Sequence, residues 1–274
     1  MDIRLTHHHG LGNEFLVVDT RQVVEGVSLE RMSIDWVSAA IAWCNSSGGR
    51  GADGLLLLDG SGPDMTMRLI NADGSPAEMS GNGIRCLVQA GLMAESSEFP
   101  VVNVVTDAGL RIVHLVESLD DHSLMLSVSM GLVSPLDEPE HWERLECNPD
   151  RPVRHLSLGN PHSVVGVDDV DAVDLCDLGE RVPHINLEIV SPGPEPDAIT
   201  MRVHERGVGL TQACGTGACA AAEAALTWGF VAQSADAVTV HMPGGDAVVH
   251  INRDTTEATL TGPAVFTGEV MVTL

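Results

Sequence analysis

The chain has 274 residues, 44% of them hydrophobic, and a formal net charge of −25 from 39 acidic and 14 basic residues. That length fits one large domain or two ordinary ones, and so acidic a surface excludes nucleic acid and anionic membranes as expected partners. Every basic residue is arginine: without lysine the chain cannot hold pyridoxal phosphate as a Schiff base or build a lysine-bearing phosphate loop.

No apolar run approaches the roughly 20 residues that span a bilayer. Arg4 and three histidines open the chain without an apolar stretch behind them, which does not read as a secretory leader, so the expected compartment is the cytoplasm. The six cysteines show no C-x-x-C pair, which argues for free thiols over a zinc site or disulfides. The acidity also fits adaptation to high salt.

In chain order, alternating and β-branched runs predict strands at Phe15 to Asp19, Leu55 to Asp59 and Met65 to Ile70. Three more follow at Val101 to Thr106, Leu110 to Val116 and Ser123 to Val128. A second set runs over Val153 to Leu158, Ser163 to Val167, Asn186 to Val190, Ile199 to Glu205, Ala237 to His241, Ala247 to Ile251 and Glu257 to Thr261. Helices are predicted from Leu29 to Asn45 with Ser28 as cap, from Gly83 to Ala94, and from Gly217 to Phe230, the last rich in alanine.

The two halves follow one plan. His9-Gly-Leu-Gly-Asn13 early in the first corresponds to Gly159-Asn-Pro-His162 early in the second. Ser80-Gly-Asn-Gly83 before one buried helix corresponds to Cys214-Gly-Thr-Gly217 before the other. We expect an ancient duplication, with a first domain over 1–119 to which residues 263–274 return as a closing strand, and a second over 120–262. One site between them is expected, with Ser80 and Cys214 each at the positive tip of an interior helix.

Glycine-rich turns at helix N-termini present backbone N–H groups and bind carboxylates. The same setting is expected to lower the pKa of Cys214 from about 8.5 toward neutrality. Two such turns would cradle an α-carboxylate and place one acid–base group on each face of an α-carbon. Inversion by proton transfer requires that arrangement, with N–H donors stabilising the developing negative charge. Read singly, the asparagines serve as ordinary turn residues, and adjacent His7, His8 and His9 do not converge on a metal.

The ordered segments His9 to Phe15, Asn71 to Ser75, Gly81 to Cys86, Gly159 to His162, Arg202 to Gly209 and Ala213 to Gly217 resemble diaminopimelate epimerase. Pro243-Gly-Gly and Gly262-Pro-Ala-Val extend the resemblance toward the end of the chain. It implies an α+β fold of two pseudo-symmetric domains, each a curled, mostly antiparallel sheet around a central helix. It also implies a homodimer, no cofactor or metal, and conversion of LL- to meso-diaminopimelate in lysine biosynthesis.

By the same resemblance Cys214 matches a catalytic thiol and Ser80 stands at the position of the other. Asn13, Asn71, Asn160 and Asn186 match substrate-binding asparagines, Asn186 only loosely. Glu205 and Arg206 match the pair that grips the distal amino-acid end. Gly81, Asn82, Gly215 and Thr216 match the carboxylate-binding turns, and His162 and Glu205 match residues that tune the thiols.

The family pattern has cysteine where this chain has Ser80, whose hydroxyl supplies almost no anion near neutral pH. Cys86, further along the helix, is not placed to substitute for it. Ser80 is open to three readings: an engineered replacement, a natural variant of altered activity, or action on another amino acid as in the proline racemase group. Leu210 and Gly54 are lesser departures, at positions where the family carries glutamate and some members glutamine. A catalytically silent amino-acid-binding protein is the alternative outside enzymes.

Overall fold

The computed structural model describes residues 1–45, 51–77, 79–97 and 99–273. Contacts divide the chain into two compact units, one of residues 1–128 with 262–274 and one of residues 129–261. Among the described residues no helix is long and apolar enough to cross a membrane.

The first unit runs β1 (Asp2–Gly10), β2 (Asn13–Asp19), the small hairpin β3 (Val23–Val24) and β4 (Val27–Ser28), and α1 (Trp36–Cys44). Then come β5 (Gly54–Ser61), β6 (Asp64–Asn71), β7 (Pro76–Ala77), α2 (Gly81–Glu95), β8 (Val101–Thr106), β9 (Gly109–Asp120) and the start of β10 (Ser123–Leu132). β1 pairs antiparallel with β2, β2 lies parallel to β5, β5 is antiparallel to β6, β6 parallel to β8, and β8, β9 and β10 form a meander. The sheet curls around α2, which is buried from Gly81 to Leu92. A helix apolar on most of its circumference needs such an enclosure.

The second unit repeats that order. It runs β11 (Ser134–Pro135), β12 (Val153–Ser157), β13 (Pro161–Gly166), α3 (Leu175–Arg181), β14 (Asn186–Pro192), β15 (Ala198–Glu205) and β16 (Gly209–Thr211). α4 (Gly215–Trp228), β17 (Val238–Met242), β18 (Gly245–Ile251) and the first part of β19 (Glu257–Thr273) complete it. β12 is antiparallel to β13, β13 parallel to β14, β14 antiparallel to β15, β15 parallel to β17, and β17 and β18 continue antiparallel into β19. α4, buried through its alanines, is the central helix. Small side chains let strands approach it closely.

The expected fold class therefore holds, and the register sharpens the duplication. In the first unit Phe15 is aligned with Gly54, Val17 with Leu56, and Gly54 in turn with Asn71. In the second His162 is aligned with Asn186 and Val164 with Glu188, while Leu187 opposite His204 sets Asn186 beside Glu205. Phe15 and His162 thus occupy one slot, and Leu56 and Glu188 another.

Two helix predictions need correction. Leu29 to Arg31 form only a 3-10 turn, and α1 starts at Trp36 with Asp35 as its cap, accepting from the Ser38 amide at 3.1 Å. Ser28 makes no capping bond, and its hydroxyl is turned to the Thr20 carbonyl, to which it donates at 3.2 Å. The end of that predicted helix, Asn45, follows α1 in extended conformation. The central helices begin two residues earlier than predicted, at Gly81 and Gly215, because Ser80 and Cys214 are themselves the extended cap residues.

Candidate active site

Each central helix opens on a tight turn, and the site residues gather around these two helix tips. At the tip of α2, Ser80 has φ −138° and ψ 122°, and its hydroxyl oxygen accepts the Gly83 amide hydrogen at 3.0 Å. Asn82 is buried, and its side-chain amide donates to Asn13 Oδ1. Asn13 stands at the start of β2, beside Glu14, whose amide donates to Asp53 at 2.8 Å. Asn71, at the end of β6, is engaged in its own turn, donating to the Ser75 hydroxyl at 3.0 Å.

A residue not singled out from the sequence organises this tip. Arg85 is fully buried, and its guanidinium donates to the Gly81 carbonyl at 3.0 Å, to Asn82 Oδ1 at 2.7 Å and to the Pro263 carbonyl at 3.1 Å. A side chain on Gly10 or Gly262 would enter that space, since a Cβ at Gly262 would sit 3.2 Å from the guanidinium carbon. The planar fork thus holds Asn82 and the start of α2 in place. An arginine within a helix buried from Gly81 to Leu92 was the sequence signal.

At the tip of α4, Cys214 has φ −128° and ψ 114°, matching Ser80, but makes no capping bond. The thiol is buried, and Thr216 Oγ1 lies 3.5 Å from its sulfur. Asn160 Nδ2 donates to Thr216 Oγ1 at 3.3 Å, and Asn160 Oδ1 lies 3.0 Å from His162 Nε2. His162 Nδ1 meets Glu188 Oε1 at 2.6 Å, with both side chains wholly buried. Asn186 donates to the Pro161 carbonyl and accepts the Arg206 amide, both at 2.9 Å, so it ties the ends of β13, β14 and β15 together. Glu205 accepts from the Thr211 hydroxyl at 2.6 Å, whereas Arg206 is exposed.

Electrostatics at this tip overturn one expectation. The Cys214 thiol is not lowered toward neutrality but pushed well up, first by burial and then by the carboxylates of Glu205 and Glu188; only the Thr216 hydroxyl opposes this appreciably from a side chain. The half-charge at a helix tip is outweighed when the thiol is removed from water beside two acids. Cys214 therefore rests as a thiol. Cys86 and Cys44 are raised to about 12, chiefly by burial, and are not alternative nucleophiles.

No group of three or more metal-ligating side chains occurs among the described residues. His8 turns inward to Gln89 at 2.8 Å while His7 pairs with Glu14 at 2.9 Å, and alternation along β1 separates the neighbours. A cleft of about 290 Å³ beside the C-terminal half of α2, lined by Arg4, Gln22, Met93 and Glu269 among others, contains none of the site residues.

A sheet curled around a buried helix, tipped by a small turn, is an architecture shared with solved proteins across the whole chain. A phenazine biosynthesis protein of the PhzF family from Bacillus anthracis superposes with a TM-score of 0.74 at 14% identity, covering 100% of both chains. A hydroxyproline epimerase from Agrobacterium vitis superposes at 0.67 with 17% identity, over 100% of this chain and 93% of the other. These likenesses define the class by fold.

Sequence narrows it. The diaminopimelate epimerase family profile matches residues 5–134 and 155–267. Diaminopimelate epimerase from Synechococcus elongatus is 37% identical over 97% of this chain and 96% of its own length. That from Halothermothrix orenii is 32% identical over 99% of each. The chain belongs to the diaminopimelate epimerase family, a family of isomerases.

Proposed function

We propose that this protein inverts an amino-acid α-carbon by direct proton transfer, without a cofactor, and that its substrate is LL-diaminopimelate, converted to the meso isomer for lysine biosynthesis. The observation that carries the reading is the buried Cys214 thiol at the tip of α4, surrounded by the small turn Gly215-Thr216-Gly217. Amides of that turn and of Gly81-Asn82 bind the α-carboxylate, where negative charge builds as the α-proton leaves. Asn13, Asn71, Asn160 and Asn186 frame the substrate. Glu205 and Arg206 meet the distal amino-acid end, which favours a substrate with two such heads over a proline-like ring.

Cys214, resting as a thiol, is the proton donor in this reading, and Ser80, at the position of the family's other catalytic thiol, is left the role of acceptor. A serine hydroxyl is a poor base near neutral pH, so the chain as it stands exchanges protons slowly. A homodimer in the cytoplasm completes the reading. Apolar surface suited to a second copy is present on the exposed side of β8 and β9, where Val105 lies opposite Leu110 and Val116 follows.

The test is incubation with LL- and meso-diaminopimelate in deuterated water, repeated with Ser80→Cys. Inversion with α-deuterium incorporation, slow in the parent protein and fast in Ser80→Cys, is the expected result. Deuterium uptake without inversion would mean that Cys214 works alone. Failure of both forms to bind either isomer would reject the substrate, and hydroxyproline isomers would then be tried in the same assay.

A further inference from the structure

Glu188 is the only carboxylate in the buried class among the described residues. It projects from β14 under the first turn of α4, where a Cβ on Gly217 would lie 2.7 Å from its Oε1 and 3.4 Å from Cys214 Sγ. Its Oε2 has no hydrogen-bond partner, so the polar engagement of the side chain runs through Oε1 to His162. From there an unbroken series of contacts leads to the sulfur: His162 to Asn160, Asn160 to Thr216, Thr216 to Cys214.

A chain of this kind has two possible directions. If donors run toward the sulfur, His162 Nε2–H donates to Asn160 Oδ1, Asn160 donates to Thr216, and the Thr216 hydroxyl donates to Sγ. Glu188 and His162 then share one proton at Nδ1 and are jointly neutral. If donors run away from the sulfur, the Asn160 amide is turned over so that its nitrogen donates to Nε2 and its oxygen accepts from the Thr216 hydroxyl. Nδ1–H then points to Glu188, and Glu188 is a lone carboxylate beside a neutral imidazole. A buried charge without a counter-charge is costly, and Glu205 on β15 would repel it further. Burial indeed pushes the Glu188 carboxyl upward. The first direction wins.

We propose that Glu188 is a positioning residue for Cys214: by sharing one proton with His162 it aligns the chain through Asn160 and Thr216 so that the Thr216 hydroxyl donates to the sulfur. The thiol's own hydrogen is then free for transfer, and the thiolate left behind is stabilised. This rests on the reading of Cys214 as the acid–base group. The first unit lacks the arrangement, since Phe15 and Leu56 fill the slots of His162 and Glu188.

Two measurements on the full chain test it, and neither reads turnover. Nitrogen-15 NMR of the histidines, with His162 assigned by its loss in His162→Gln, should show Nε2 carrying hydrogen from about pH 6 to 9, the range over which an ordinary histidine loses its charge. A neutral His162 protonated only at Nδ1 would overturn the proposal. The second measurement is the pH profile of iodoacetamide alkylation at Cys214, read on its own peptide by mass spectrometry. The ionisable groups facing that sulfur are Glu188 from β14 and Glu205 from β15, with His162 from β13 behind Asn160.

Glu188→Leu should slow alkylation on the order of tenfold, as a one-unit rise in the thiol pKa would. The proton shared with His162 offsets the carboxylate's own push on the thiol, and the loss of the aligned chain is what remains. Faster alkylation, the result of removing an unshared Glu188 charge, would overturn the proposal. Glu188→Gln, whose amide can donate to Nδ1 and keep Nε2–H in place, should retain most of the rate. Unchanged rates in Glu188→Leu, or equal loss in both variants, would overturn the proposal. If Glu188→Leu does not fold, Thr216→Val cuts the last link with Glu188 intact and should give the same slowing; an unaltered rate there would also overturn it. Slowed alkylation in a chain that never inverts diaminopimelate would leave this inference standing and remove only the proposed function.

Discussion

The Ser80 hydroxyl oxygen caps α2 through the Gly83 amide at 3.0 Å, whereas Cys214, in the same backbone conformation at the start of α4, makes no capping bond. Oxygen at one helix tip serves stability, and sulfur at the other is the proposed acid–base group. Ser80→Ala should therefore cost about 1 kcal/mol of unfolding free energy. Ser80→Cys should lose part of the same amount, because a thiol is a weaker acceptor, while gaining activity. Urea denaturation of the three forms reads the first effect and the deuterium assay the second. A Ser80→Ala variant as stable as the parent would show that the cap contributes nothing.

Glu205 raises the Cys214 thiol through its charge. Glu205→Gln should lower the thiol pKa, so alkylation at a fixed pH near 8 should become faster. On the proposed reading turnover should fall in the same variant, because the substrate's distal end loses a partner. Opposite signs for the two readouts are what the dual position of Glu205 requires; slower alkylation would contradict it.

Gly217 leaves room that no side chain can share. Alanine there would place its methyl group 2.7 Å from Glu188 Oε1, while the equivalent Gly83→Ala meets nothing nearer than the Ser80 Cβ at 3.2 Å. Gly217→Ala should cost roughly 1–3 kcal/mol, as overpacked cores do, and Gly83→Ala should cost less. Thermal denaturation of the two variants orders them.

His8 gives the first unit a pH dependence of its own. Burial, reinforced by His7 and His9, holds its pKa down to about 4 despite the hydrogen bond to Gln89. An unfolded histidine titrates near 6.5, so between those values the unfolded chain binds the extra proton. Stability from this group is complete above about pH 6.5, declines as pH falls toward 4, and levels off below, for a total of about 3 kcal/mol. The difference in stability between the parent and His8→Asn, followed by urea denaturation from pH 7 to 4.5, should shrink by most of that amount.

Much of the fold was legible because strand periodicity is local. The runs at Phe15 to Asp19, Met65 to Ile70 and Ala247 to Ile251 lie inside β2, β6 and β18. β1 was not legible, because three successive histidines hide the alternation that buries His8. The split before α1 shows in Asp35, which caps a helix that starts only at Trp36, after the separate turn at Leu29 to Arg31. At the site, the turns could be read from their glycines and asparagines, but Glu188 and Arg85 were passed over. Each is a charge within an apolar element, and Glu188 lies in a parallel pairing of β13 and β14 that covers both faces. A helix dipole can be inferred from order along the chain; the desolvation that reverses its effect on Cys214 arises only when Glu188 and Glu205 are brought beside it.

The substitution of Phe15 and Leu56 for His162 and Glu188 between otherwise matching ladders has a cost-side corollary. Buried ion pairs are often no more stable than well-packed hydrocarbon of similar size, and can be less so by about 1–4 kcal/mol. Grafting the oily pair of the first half into the second, as His162→Phe with Glu188→Leu, should yield a hardier and chemically mute protein. On that view the second half carries a thermodynamically inferior centre, and the first half shows the same ladder packed with hydrocarbon in its place.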